Sequence, residues 1–133
     1  MNTPHSAFGQ FSLLVVDDSD FARAQISGLL KDKGFNVVGE ASGAEEALKL
    51  IKELKPHLVL TDIVMPNVSG IELAEKISSN FTNVGVIMIS SLAHEQVVLE
   101  AIAAGAVDFV RKPIDVVQLT EAVEKYLTSI KKD

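Results

Sequence analysis

The sequence predicts an α/β protein: a doubly wound, five-stranded parallel sheet with helices on both faces. Runs such as Leu13-Leu14-Val15-Val16 and Val86-Ile87-Met88-Ile89 lack polar alternation, as strands do when helices cover both sides of the sheet. Such runs alternate five times with amphipathic stretches of helical spacing, the order that gives parallel strands joined by right-handed crossovers. No internal repeat or compositional break divides the 133 residues, a length that suits one domain burying about two thirds of its unfolded surface.

Residues 1–10 mix Asn, Thr, Pro, His, Ser and Gly with little periodicity. They are expected to form a flexible tail, which Phe8 or Phe11 could pin, ahead of a domain spanning 11–133. The first strand leads into a helix capped by Ser19 or Asp20 and running to about Lys33, with Gly34 in the stop position. Val37-Val38 mark a weaker second strand ending near Ala41. Ser42 to Lys55 reads as a helix, with Ala47, Leu48, Ile51 and Leu54 at helical spacing and Pro56 forcing its end. Leu58-Val59-Leu60 form the third strand, after which Ser69 caps a helix through Leu73, Ala74 and Ile77. The fourth strand ends at Ser90, and its helix runs from about Glu95 to Ala104, closed by Gly105. A short strand from Val107 to Arg111 precedes a last helix, starting near Asp115, with Leu119, Val123, Leu127 and Ile130 as its inward stripe.

Composition removes several classes of function. A net charge of −6 argues against nucleic acid as a ligand. The chain has no cysteine, hence no disulfide, thiol nucleophile or thiolate metal site. Apolar runs are far shorter than the ~18 residues of a membrane span, and the first ten residues do not read as a signal peptide. A cytoplasmic location is expected. His5, His57 and His94 have no metal-ligand spacing, and neither a phosphate-binding glycine loop nor a nucleophile elbow occurs.

The chemistry lies where the apolar runs stop. The first runs into Asp17-Asp18, the third through Thr61 into Asp62, the fourth into Ser90 and the fifth into Lys112-Pro113. Ligands of open parallel sheets bind beyond the carboxyl ends of the strands, so these side chains should share one pocket. Each has a plain alternative: Asp17-Asp18 as a solvated turn or cap, Asp62 as a turn residue, Ser90 as a helix cap, Lys112 as a solvated charge. Together they suit phosphate. Adjacent carboxylates repel unless a hard divalent cation relieves them, and Mg²⁺ takes oxygen ligands from one or two carboxylates while keeping several waters. A carboxylate can act as a nucleophile toward phosphorus, with a lysine opposite and a hydroxyl donating to a phosphoryl oxygen.

From about Ser12 to Ile130 the chain resembles the receiver domains of two-component response regulators, especially stand-alone chemotaxis-type regulators. The motifs are Val16-Asp17-Asp18-Ser19, Thr61-Asp62-Ile63-Val64-Met65-Pro66 with Gly70, Ile89-Ser90-Ser91, and Gly105-Ala106-Val107-Asp108-Phe109 followed by Lys112-Pro113. The resemblance implies a flavodoxin-like strand order, 2-1-3-4-5, and a phosphorylation switch rather than an enzyme. It implies Asp62 as phosphoacceptor and Asp18 as a direct Mg²⁺ ligand. Asp17 would act on the metal mainly through water, and the backbone carbonyl of Val64 would be a further ligand. Lys112 and Ser90 would bind the phosphoryl group, and Ser90 and Phe109 would form the switch. A cis Lys112–Pro113 bond is implied as well.

A sensor histidine kinase or phosphotransfer protein would supply the phosphoryl group. A downstream target protein would read the result on the fourth helix, fifth strand and fifth helix, with Val97, Val98 and Phe109 in the partner surface. The molecule would be a monomer or weak dimer. Three departures stand out. Phe109 lacks the phenol often found at the switch position, and Val64 and Leu92 are apolar at positions often polar in the family. Two other functions remain open: a phosphorylation-independent binding module, and an aspartate-nucleophile phosphohydrolase. Those hydrolases typically place a second acid where this chain has Val64 and often carry a cap, for which the chain has no room.

Overall fold

The computed structural model describes residues 8–131. Five strands and five helices alternate: β1 (Ser12–Val16), α1 (Asp20–Asp32), β2 (Asn36–Ala41), α2 (Ala44–Leu54), β3 (Leu58–Thr61), α3 (Gly70–Asn80), β4 (Gly85–Ser90), α4 (Glu95–Ala103), β5 (Asp108–Arg111) and α5 (Val116–Ile130). All strand pairs are parallel, in the order 2-1-3-4-5.

Side-chain alternation sorts the strands onto two cores. Leu14, Val16, Val59, Val86 and Met88 pack with Ala47 and Ile51 of α2, Leu73 and Ile77 of α3, and Ala101 of α4. Leu13, Val15, Leu58, Leu60, Ile87, Ile89 and Val110 pack on the other face with Ile26 and Leu30 of α1 and Leu119, Val123 and Leu127 of α5. The second core also takes Phe8, Phe11 and Phe35. Phe8 stacks on Phe35 with ring centroids 6.2 Å apart, and the Lys131 ammonium lies 5.7 Å from the Phe8 ring centre. Of the loose tail expected over residues 1–10, the part from Phe8 to Gln10 is instead held, because the Phe8 ring is buried. Residues 1–7 of that expected tail lie outside the described residues.

The helix ends follow from local chemistry. Ser19 caps α1 by accepting from the Ala22 N–H, Ser69 caps α3 from Glu72, and Asp115 caps α5 from Val117 and Gln118. Helix α2 begins later than Ser42, because the Ser42 N–H and hydroxyl both turn to the Glu46 carboxylate. Gly43 then takes the cap position. Its end also comes earlier: Lys55 leaves the helix with φ 49°, since the ring of Pro56 disfavours helical geometry in the preceding residue. The Lys112–Pro113 peptide is cis. No described helix is long and apolar enough to cross a membrane.

Candidate phosphoryl and metal site

Strand register builds the site. Val16 pairs with Ala41 on one side and Thr61 on the other, so Asp17 and Asp62, each one residue further on, emerge side by side. The ladder continues past the strands: the Asp17 N–H donates to the Ala41 carbonyl and the Asp62 N–H to that of Val16, both at 3.1 Å. On the next strand pair Ser90 lies opposite Arg111, and the Lys112 N–H donates to the Ser90 carbonyl at 3.1 Å. Lys112 thus leaves the sheet beside the two carboxylates.

Its ammonium bridges them. The Lys112 Nζ donates to Asp17 Oδ2 at 2.9 Å and to Asp62 Oδ2 at 3.1 Å. Burial by itself would lower the Lys112 pKa, but the hydrogen bonds to Asp17 and Asp62, with their charge, outweigh it and raise the pKa above its ordinary value. The second oxygens are held by the backbone. Asp17 Oδ1 accepts from the Ser19 N–H at 2.9 Å, and Asp62 Oδ1 from Ile63 at 2.6 Å and from Val64 at 3.4 Å. Asp17 is 1% exposed, a burial that a carboxylate tolerates only when paired and hydrogen-bonded.

Asp18 completes the cluster from an exposed position, and one oxygen from each of Asp17, Asp18 and Asp62 lies within 4.8 Å of the others. Three hard carboxylate donors, one of them open to solvent, fit a small divalent cation of the Mg²⁺ type, which keeps part of its water shell. Gly70 sets the floor. A Cβ there would stand 2.0 Å from the Asp62 carbonyl oxygen, so only glycine lets the start of α3 press on the turn after β3. The Gly70 N–H donates to the Ile63 carbonyl at 2.8 Å.

Asp17, Asp18, Asp62 and Lys112 are thus brought together as the sequence implied. Ser90 is buried at the end of β4, its Oγ accepting from the Leu92 N–H at 3.1 Å, and its own proton remains to donate. Val64 is 57% exposed and Leu92 40%. Phe109 is half-buried against the core under α4. On α4 itself Val97 also packs against that core and Val98 is half-buried. The most exposed apolar side chains of α4 are Leu99, 55% exposed, and Ile102, 54% exposed.

One site residue was not singled out from the sequence. Arg23, in α1, donates from Nη1 to the Asp17 carbonyl at 2.7 Å, pairs with Asp20 and approaches Glu40 of β2 at 3.5 Å. Its hydrogen bond to Asp20 raises its already high pKa against the effect of burial, with the charges of Asp20, Glu40 and Glu46 adding to the rise. The available signal was weak, an arginine one turn beyond an acidic cluster.

The comparisons with known proteins agree with this geometry. Residues 13–124 match the family model for the response regulator receiver domain. The chain is 41% identical over 113 residues to the chemotaxis protein CheY of Listeria monocytogenes, covering 85% of this chain and 95% of that protein. CheY of Thermotoga maritima is 38% identical, over 85% of this chain and 94% of its own. Among solved structures, the CheX–CheY–BeF3–Mg complex from Borrelia burgdorferi contains a chain that superposes with a TM-score of 0.84 at 34% identity. That match covers 91% of this chain and 90% of that one. The response regulator domain of Thermotoga maritima CheB gives 0.82 at 35% identity, over 89% of this chain and 96% of that one. With the carboxylates, hydroxyl and lysine on the strand ends where the motifs put them, the chain belongs to the response-regulator receiver domain family of two-component signalling.

Proposed function

We propose that the chain acts as a cytoplasmic phosphorylation switch. Asp62 accepts a phosphoryl group from a sensor histidine kinase or phosphotransfer protein, and the phosphorylated form changes its affinity for a target protein. The observation that carries this reading is the Lys112 ammonium shared between Asp17 and Asp62, with Asp18 completing a set of three carboxylates. A structural ion pair needs one acid per lysine. Three acids around one lysine leave negative charge to be met by a second cation, which suits Asp17, Asp18, Asp62 and the Val64 carbonyl as holders of Mg²⁺.

Bound there, the metal would offset charge on the phosphoryl oxygens while two anions approach. The residues of the chain do the rest. The Ile63 N–H fixes one Asp62 oxygen and so orients the carboxylate. An Asp62 oxygen attacks phosphorus as the bond to the donor's imidazole nitrogen breaks, and the bonding pair stays on that nitrogen. Lys112, freed from part of its carboxylate contact, pairs with the new phosphoryl oxygens, and the Ser90 hydroxyl donates to another.

A phosphoryl group brings about −1.5 to −2 charge, and drawing Ser90 toward it moves the loop after β4. Phe109 then turns into the space vacated. The face of α4, β5 and α5, where Leu99, Ile102, Val107 and Val117 are exposed, is the surface that reads the change. Incubation with acetyl phosphate and Mg²⁺ tests the reading. Intact mass should rise by one phosphoryl group in the wild type, and neither without Mg²⁺ nor in Asp62→Asn. Equal labelling of wild type and Asp62→Asn would overturn the assignment.

A further inference from the structure

Asp17 has a partner on every polar atom, and the partner on its carbonyl is a side chain. Its N–H is tied to Ala41 of β2, its carboxylate to the Ser19 N–H and Lys112, and its carbonyl to Arg23 Nη1 at 2.7 Å. That carbonyl belongs to the peptide joining Asp17 to Asp18, so its direction sets where the backbone aims Asp18. Among the described residues, no hydrogen bond or ion pair is made by the exposed Asp18 carboxylate. Its position is therefore left to the backbone beneath it.

We propose that Arg23 is a positioning residue for metal binding. It locks the Asp17–Asp18 peptide and thereby presents the Asp18 carboxylate to the cation. The inference rests on the Mg²⁺-dependent reading above and deepens it. Arg23 is built for the task, because its side chain is only 17% exposed and is anchored at both sides of the turn. Asp20 holds it from α1 and Glu40 from β2. A planar guanidinium can satisfy a carbonyl and two carboxylates at once, which a lysine ammonium on a flexible stem cannot reproduce.

Two effects of Arg23 on the metal have opposite signs, and this makes the test decisive. As a nearby cation it repels Mg²⁺, so its removal should tighten binding. As a positioning residue it holds a ligand in place, so its removal should weaken binding. The measurement is calorimetric titration of the unphosphorylated protein with Mg²⁺ alone, at a temperature where urea unfolding shows every variant folded. Arg23→Ala is expected to raise the Mg²⁺ dissociation constant about tenfold, and Arg23→Lys to raise it nearly as much while recovering most of the stability.

A dissociation constant that is unchanged or lower in both Arg23 variants, with the wild type binding normally, overturns the positioning role. If the alanine variant does not fold, the lysine variant decides by the same criterion. A wild type that takes no Mg²⁺ would instead remove the metal from the proposed function, and this inference with it.

Discussion

Val64 lies two residues beyond Asp62, the proposed phosphoacceptor, and Leu92 two beyond Ser90, the proposed switch hydroxyl, and both face solvent, at 57% and 40% exposure. Hydrolysis of an aspartyl phosphate needs a water lined up behind phosphorus. Neither side chain can hydrogen-bond that water, and their bulk excludes it, so the phosphorylated state should persist. Exchanging Val64→Asn and Leu92→Glu together should speed loss of the phosphoryl group about tenfold, equivalent to about 1.4 kcal/mol of barrier. The check is the decay of purified phosphoprotein in Mg²⁺ buffer without a phosphatase. A double variant that decays no faster than wild type would contradict the argument. At this scale the sequence was informative where a polar residue ended an apolar run, as at Asp17, Asp62, Ser90 and Lys112. It was silent on Arg23, whose importance lies in a bond to a backbone carbonyl six residues earlier in the chain, and no composition or spacing reports such a bond.

The helices place these residues through their ends, and two glycines show how differently an element can depend on one. Gly28 sits exposed within α1, and a Cβ added there would meet nothing within 4 Å. Gly28→Ala should therefore stabilise the protein by about 0.5–1 kcal/mol, the ordinary gain from removing glycine from a helix interior. Gly70→Ala would drive its Cβ to 2.0 Å from the Asp62 carbonyl oxygen. Backbone cannot yield there without moving α3 off the turn that carries Asp62, so a loss of about 2–3 kcal/mol is expected. Urea unfolding of both variants checks the two signs. Most element ends were legible because caps and breakers are local: Ser19, Ser69, Asp115, Gly34 and Gly105 all act within a few residues. The start of α2 was not, because Ser42 gives its N–H and its hydroxyl to Glu46 instead of capping the helix. Only the fold shows that choice.

For the whole molecule, the two cores explain why the site can be polar at all. Helices α2, α3 and α4 cover one face of the sheet and α1 and α5 the other, so stability is supplied away from the carboxyl edge where like charges meet. Apolar runs announced the strands but are silent on which strands are neighbours; the order 2-1-3-4-5 followed from the resemblance of the motifs and is the order observed. Phe8 could be named from the sequence as a pin for the first residues, but its stacking on Phe35 could not, because isolated aromatics in an aperiodic stretch carry no pattern that identifies a partner.

The central claim is that this arrangement makes Asp62 a phosphoacceptor. An acyl phosphate, unlike a free carboxylate, is reduced by borohydride to the alcohol, so a phosphorylated aspartate becomes homoserine. Wild-type protein treated with acetyl phosphate and Mg²⁺, then with borohydride, should yield a peptide carrying homoserine at position 62 and aspartate at 17 and 18. Homoserine at position 17 or 18, or none in a protein whose intact mass shows the phosphoryl group, would contradict the account.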